Sequence, residues 1–300
     1  MKLLAQVRRV TAYELRALFG SARAVTVLVL FLLVAVASSG TVASCQEKLA
    51  GEQSKLQLQG PSGRSAGQMP SGFVYRFILG QTVAKGDPDF ADFLAEIPVF
   101  FLLYVWGCLF LYPYLLALLG YDQISGEVAS GSAKFPLLRV SRPALALGKV
   151  SAQILLFMLI TLLNAGATLA MAAGKLPEFQ LDESVLLLLR FWPPILASGL
   201  CYIGLVAFWS MVIGSPGGSL GMSIVTPLIL WGVSKIAFLW DLGGGYRVFG
   251  ALGYLSPEAL GWGLFRPFDG QLLLSMGVFI GFGALFFLLG LRLFQRKDLA

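Results

Sequence analysis

The chain has 300 residues, of which 57% are hydrophobic and only 13% charged, with a mean hydropathy of +0.79 and a formal net charge of +6. A soluble protein of this length cannot hide that much apolar surface in a core, so the composition excludes an ordinary globular domain. There is no histidine, which removes Ser-His catalysis, His-based zinc sites, haem ligation through His and histidine proton relays.

The apolar residues fall in six blocks, about 24–44, 97–120, 145–173, 191–213, 219–240 and 271–293. Each is close to the roughly 20 residues that carry a helix across a ~30 Å hydrocarbon layer. The predicted fold class is therefore an all-α integral membrane protein with six transmembrane helices. It divides into an N-terminal segment, 1–23, and a membrane domain, 24–300. The expected location is the cell (inner or plasma) membrane of a bacterium, with the lipid bilayer as surroundings.

Charge orients the spans. With the N-terminus inside, segments 1–23, 121–149, 214–218 and 292–300 are cytoplasmic and carry 12 Lys/Arg against four acids. Segments 45–96, 174–190 and 241–270 are then outside, with nine Lys/Arg against twelve acids. Both termini are expected in the cytoplasm. The basicity is thus a signal of topology and gives no reason to invoke nucleic acid.

In chain order, residues 1–23 come first. Leu3, Leu4, Val7, Val10, Leu15 and Leu18 follow helical spacing, with Lys2, Gln6, Arg9 and Arg16 on other faces. This predicts an amphipathic helix resting on the inner membrane surface; the plainer alternative is a basic tail that only enforces topology. The block at 24–44 is long for a signal peptide, although Ala43 and Ser44 follow it, and it is read as a span. The outer loop, 45–96, begins rich in Gln, Ser and Gly. Its second half mixes Phe73, Tyr75, Phe77, Ile78 and Leu79 with Asp87, Asp89, Asp92 and Glu96. That half reads as a lid or a dock for an extracytoplasmic partner, or equally as a linker with an interfacial helix.

The segment 121–149 joins the second and third spans. Asp122 is expected to cap a short helix, about 122–133, that Gly131 and Pro136 end. The third span restarts at Ser141-Arg142-Pro143, with proline in the first turn, where its missing N–H costs little. Ile124, Val128, Phe135, Leu137 and Leu138 are more apolar than a solvated loop requires. A short helix held between two spans is a mechanical device, because moving it tilts both.

This pattern resembles the six-span ABC exporter permeases (ABC-2 type) that lack a fused ATPase domain and carry an amphipathic helix before the first span. The shared residues are Ile124-Ser125-Gly126-Glu127, Gly131-Ser132, Leu137-Leu138, Ser141-Arg142 and Gly148-Lys149, with Ser256-Pro257 before the last span. The departures are Ser132 for the usual Thr, Pro136 ahead of the Leu pair, and Pro143 after Arg142. The likeness of layout covers the whole chain; the motif is specific over 121–149. The resemblance implies a coupling helix at 122–133 that docks on a separate ABC ATPase subunit, with Glu127 facing that subunit or the surface helix. Arg139, Arg142 and Lys149 would anchor the loop to the membrane. A second permease copy or paralogue would complete the cargo pathway. ATP and Mg would belong to the partner subunit, and this chain would need no cofactor of its own.

The residues Pro143 to Val150 have the length of a phosphate-binding loop, but Pro143 replaces the first glycine and Val150 the Ser/Thr that holds magnesium. ATP hydrolysis is therefore expected from another polypeptide, and without histidine or a cluster of intramembrane acids this chain is not expected to be an enzyme. In the fourth-to-fifth connection, Gly214-Ser215-Pro216-Gly217-Gly218 predicts a tight turn between two antiparallel spans. In the sixth span Gly277 and Gly281 form a GxxxG, with Gly283 adding to the narrow face, and predict a helix-packing interface. Polar residues within spans are few: Gln153, Asn164, Thr226 and Lys235, the last with Asp241 in reach. Segment 241–270, rich in glycine and aromatics, reads as re-entrant or interfacial. Cys45, Cys108 and Cys201 form no motif. An ion-coupled carrier or a membrane assembly factor are the alternatives, and a membrane-embedded enzyme is a weaker one.

Overall fold

The computed structural model describes residues 2–22, 25–33, 90, 93–94, 97, 99–175, 180–242 and 256–297. The dock for an extracytoplasmic partner expected in 45–96 lies outside them except at 90 and 93–94, and the side chains of Lys235 and Asp241 lie outside them too.

Among the described residues the structure is helical, with no strand. We number the helices α1 (Lys2–Phe19), α2 (Val99–Gly120), α3 (Ser125–Ala129), α4 (Lys134–Leu137), α5 (Arg142–Lys175), α6 (Leu181–Val212), α7 (Pro216–Leu242) and α8 (Gly270–Arg296). A 3₁₀ segment, Pro257–Phe265, precedes α8. Five helices, α2 and α5 to α8, are long and apolar enough to cross a bilayer. The arrangement is that of a multi-pass membrane protein. The first predicted span, 24–44, is described only at 25–33, which is helical.

Two boundaries differ from the sequence expectation. Helix α6 begins at Leu181, inside the segment 174–190 that was expected to be a loop. Asp182, Glu183 and Arg190 interrupt the hydropathy of this stretch without breaking the helix, and the two acids occupy its first turn, where the positive end of the helix dipole favours them. Helix α7 begins at Pro216, so the tight turn shrinks to about residues 213–215. Proline suits a first helical position, and Gly217, Gly218 and Gly221 belong to the helix.

Helix α6 is the centre of the bundle. Seventeen of its residues are buried, from Ser184 to Met211, and its contact with α8 is the most extensive in the fold. This contact depends on glycine. A Cβ on Gly204 would strike the backbone of Gly283, one on Gly283 would reach the backbone of Leu200 and Cys201, and one on Gly290 would reach Phe208. By contrast, Gly277 and Gly281, the predicted packing pair, are exposed and have nothing within 4 Å. The GxxxG therefore packs against no described helix, and the close approach lies one face away, at Gly283 and Gly290.

Apolar side chains also cover the outside. Leu155, Leu159 and Leu162 on α5, Leu228 and Ile229 on α7, and Leu285 and Leu288 on α8 are exposed, as a hydrocarbon solvent permits. Some of the buried polar groups are neutral and bond between spans. Asn164 on α5 donates to the Tyr112 hydroxyl on α2 (2.7 Å), and Trp192 on α6 donates to Thr161 on α5 (3.1 Å). Such bonds hold membrane helices together where hydrophobicity cannot discriminate between neighbours. At the end where α6 and α8 begin, Arg190 lies over the Phe93 ring (4.3 Å) and Arg266 over Phe90 (4.9 Å).

Candidate functional site

The opposite end of the bundle carries α1, α3 and α4, the start of α5 and the C-termini of α6 and α8. Here the residues singled out in 121–149 are placed.

Helix α1 lies against the start of α5. Its inward face holds Val7, Val10, Thr11, Glu14 and Leu18, while Leu4 and Tyr13 are exposed. Gly148 makes the approach close: a Cβ there would meet the Val10 side chain at 2.5 Å. The Thr11 hydroxyl adds a bond to the Gly148 carbonyl (3.2 Å). Much of the apolar stripe of α1 is therefore used against protein, while Leu3 and Leu4 at its start are exposed.

That approach brings Glu14 to Lys149. The Lys149 ammonium, 3% exposed, binds Glu14 Oε1 at 2.6 Å and Glu127 Oε1 at 2.9 Å. One buried cation thus joins α1, α3 and α5. Two carboxylates share it, and Glu127 Oε2 is buried without a hydrogen-bond partner. A buried charge survives only when paired and hydrogen-bonded, so these three elements are expected to move together. Of the two faces the resemblance offered Glu127, this is the side of α1. Lys149, expected to anchor the loop to the membrane, is instead enclosed in protein.

Helix α3 begins in an unusual way. Its N-cap residue is Ile124, which has no polar side chain to offer, and Asp122 stands too early to cap it as predicted. The two leading amides, of Ile124 and Ser125, donate instead to the hydroxyl of Ser210 on α6, at 3.0 and 3.1 Å. A serine oxygen normally serves this role from within the same chain segment; here it comes from a neighbouring span. The Ile124 side chain, 2% exposed, packs with Ala146, Ala207, Met211 and Phe294. Ser125 is fully buried and its hydroxyl donates to the Tyr121 carbonyl (2.7 Å).

The helix ends at Gly131, whose φ of +70° is the left-handed conformation that glycine adopts without a Cβ penalty. The amide of Ala133 then donates to the Glu127 carbonyl (3.0 Å), and the Ser130 and Ser132 hydroxyls lie 2.9 Å apart. Pro136 does not end this helix; it sits within α4, a separate turn. The predicted helix of 122–133 is therefore shorter, Ser125–Ala129, and a second short helix, Lys134–Leu137, follows Gly131. Gly126 has ordinary room for a Cβ beside Asp122. On α4 and after it, Phe135 and Leu138 are 73% and 83% exposed. Arg139 is exposed as well.

Two cations close the end of the bundle. The Arg142 guanidinium donates to the carbonyls of Phe294, Gln295 and Lys297 at 2.8–3.0 Å. It caps the C-terminus of α8, where cations are favoured, and so fastens the loop to the bundle, where the resemblance implied an anchor to the membrane. Lys297 in turn donates to the Val212 carbonyl at the C-terminus of α6 (3.2 Å). Between α1 and α3 remains a cleft of about 610 Å³, lined in part by Glu14, Asp122, Glu127 and Ser130. No group of three or more metal-ligating side chains is found among the described residues.

Ser210 and Glu14 were missed by the sequence reading. Ser210 lies within an apolar block where serine carries no pattern. Glu14 is the sole acid of segment 1–23, and that isolation on a basic helix was the available signal. Comparison of the chain with known protein families and with curated proteins gives no match in either.

Proposed function

We propose that this chain is the permease subunit of an ATP-driven exporter of the six-span ABC-2 type, working with a separate ATPase subunit and a second permease copy or paralogue. Segment 121–149 would lie in the cytoplasm and take up the motion of the ATPase. Nucleotide binding in that partner would bias one of two arrangements of the spans.

The observation that carries this reading is the two-sided build of the segment. One side is fixed to the bundle through Lys149, Ile124 and the Ser210 bonds. The other presents Phe135 and Leu138 away from the protein. A segment anchored inward and apolar outward is suited to receive a partner and pass on its displacement. The polar contacts that join α2 to α5 and α5 to α6, Asn164 with Tyr112 and Trp192 with Thr161, are neutral, which suits a transporter powered from outside the chain better than an ion-coupled carrier.

The test is co-expression with an ATPase encoded beside it. A co-purifying complex is expected, and Phe135→Ala with Leu138→Ala should weaken it by about tenfold or more, as loss of buried apolar anchors does. Glu127→Gln should lower the ATPase activity of the complex. A complex indifferent to all three changes would remove the mechanism.

A further inference from the structure

We infer that Ser210 is a mechanical joint through which displacement of α3 is delivered to α6, the central span, in addition to the two spans that α3 connects covalently. The inference rests on the coupling role proposed for 121–149 and names the route by which it acts.

A short helix between α2 and α5 needs no bond to α6 in order to exist. Its first amides can be satisfied by water at a membrane surface or by a local serine or aspartate. Here both point at one hydroxyl on another span, and that hydroxyl belongs to a residue 1% exposed. Water is kept from the junction by Ile124 on one side and Ala207 and Met211 on the other. Two bonds converging on one oxygen resist both sliding and rotation of α3 against α6. Because α6 packs on α8 along its length, and Lys297 ties the two C-termini, a push on α3 reaches α8 too. Glu127 provides the opposing hold, fixing the same short helix to α5 and α1. Helix α3 thus stands between two fastenings, an ionic one to α5 and a hydrogen-bonded one to α6. Its displacement shifts α6 relative to α5. Ser210 is a positioning residue in this scheme.

The experiment uses the full chain in lipid nanodiscs, without any ATPase. Spin labels on Ala173→Cys and Leu186→Cys, exposed positions at the far ends of α5 and α6, report the distance between those helices. With Ser210 present, Glu127→Gln should shift the distance distribution; with Ser210→Ala added, the shift should vanish, and Ser210→Thr, which keeps the hydroxyl, should restore it. Hydrogen exchange of the peptide 121–130 should rise roughly tenfold at its leading amides in Ser210→Ala and stay low in Ser210→Thr. Absence of a shift on Glu127→Gln in the chain that retains Ser210 overturns the inference. So does a shift that persists without the hydroxyl. Should Ser210→Ala fail to fold, the Glu127→Gln comparison and the Ser210→Thr exchange still decide the matter. Since no ATPase is present, a negative result here leaves the exporter reading standing. Failure of the Phe135 and Leu138 test likewise leaves this joint standing.

Discussion

Replacing Lys149 with methionine should cost about 3–5 kcal/mol of stability, the penalty for removing one partner of a buried ion pair. The ammonium is 3% exposed and is the shared partner of Glu14 and Glu127. Without it two carboxylates face each other across the gap between α1 and α3. Glu127 keeps more water contact than Glu14, with 28% against 14% of its side chain exposed, so part of the loss is relieved by outward rotation of α3. The result is expected to be local: α1 and α3 loosen first. The triple variant Glu14→Gln, Glu127→Gln and Lys149→Met should recover most of the stability, because buried ion groups are often replaced by neutral ones at little net cost. SDS titration in mixed micelles measures both. A Lys149→Met variant as stable as the parent would show that the three side chains are not held as described.

The second large effect is expected at Gly204 and Gly283. Alanine at either position drives a methyl group into the opposing backbone, which cannot rotate aside as a side chain can. Overpacking usually costs about 1–3 kcal/mol, and a backbone obstacle places this pair at about 3 kcal/mol or above. Alanine at Gly277 or Gly281 meets nothing and should stay within about 0.5 kcal/mol. The same titration across the four variants separates the two glycine faces of α8. If Gly277→Ala were the damaging change and Gly283→Ala neutral, the rotation of α8 against α6 would be wrong.

These glycines illustrate what the sequence could and could not convey. Apolar blocks of span length announce themselves through hydropathy, so the helical membrane architecture was legible from composition and length. The face of α8 that packs was not. Leucine and phenylalanine surround both glycine pairs, and in a lipid solvent the outer face is as apolar as the inner one. Helix α6 was cut short because Asp182, Glu183 and Arg190 lower the hydropathy of its first turns, although acids at a helix start stabilise it.

At the candidate site, Gly131 was readable because only a left-handed turn requires glycine there. Glu127 and Lys149 were singled out individually, yet their pairing spans 22 positions and is completed by Glu14, 135 positions away. The family resemblance implied that Lys149 and Arg142 anchor the loop to the membrane. The structure turns both inward, one to carboxylates and one to the carbonyls that end α8. Ser210 is the least legible member. A lone hydroxyl in an apolar helix has no periodicity to mark it, and its partners are backbone amides, which every residue but proline possesses.

In the proposed coupling, α3 and α4 face the compartment where ATP is found. Phe135, 73% exposed, offers the direct test: a Phe135→Cys chain, with Cys45→Ser, treated in intact cells with a membrane-impermeant maleimide. No labelling is expected until the membrane is permeabilised, after which it should be rapid. Labelling from outside unbroken cells would contradict the proposed coupling.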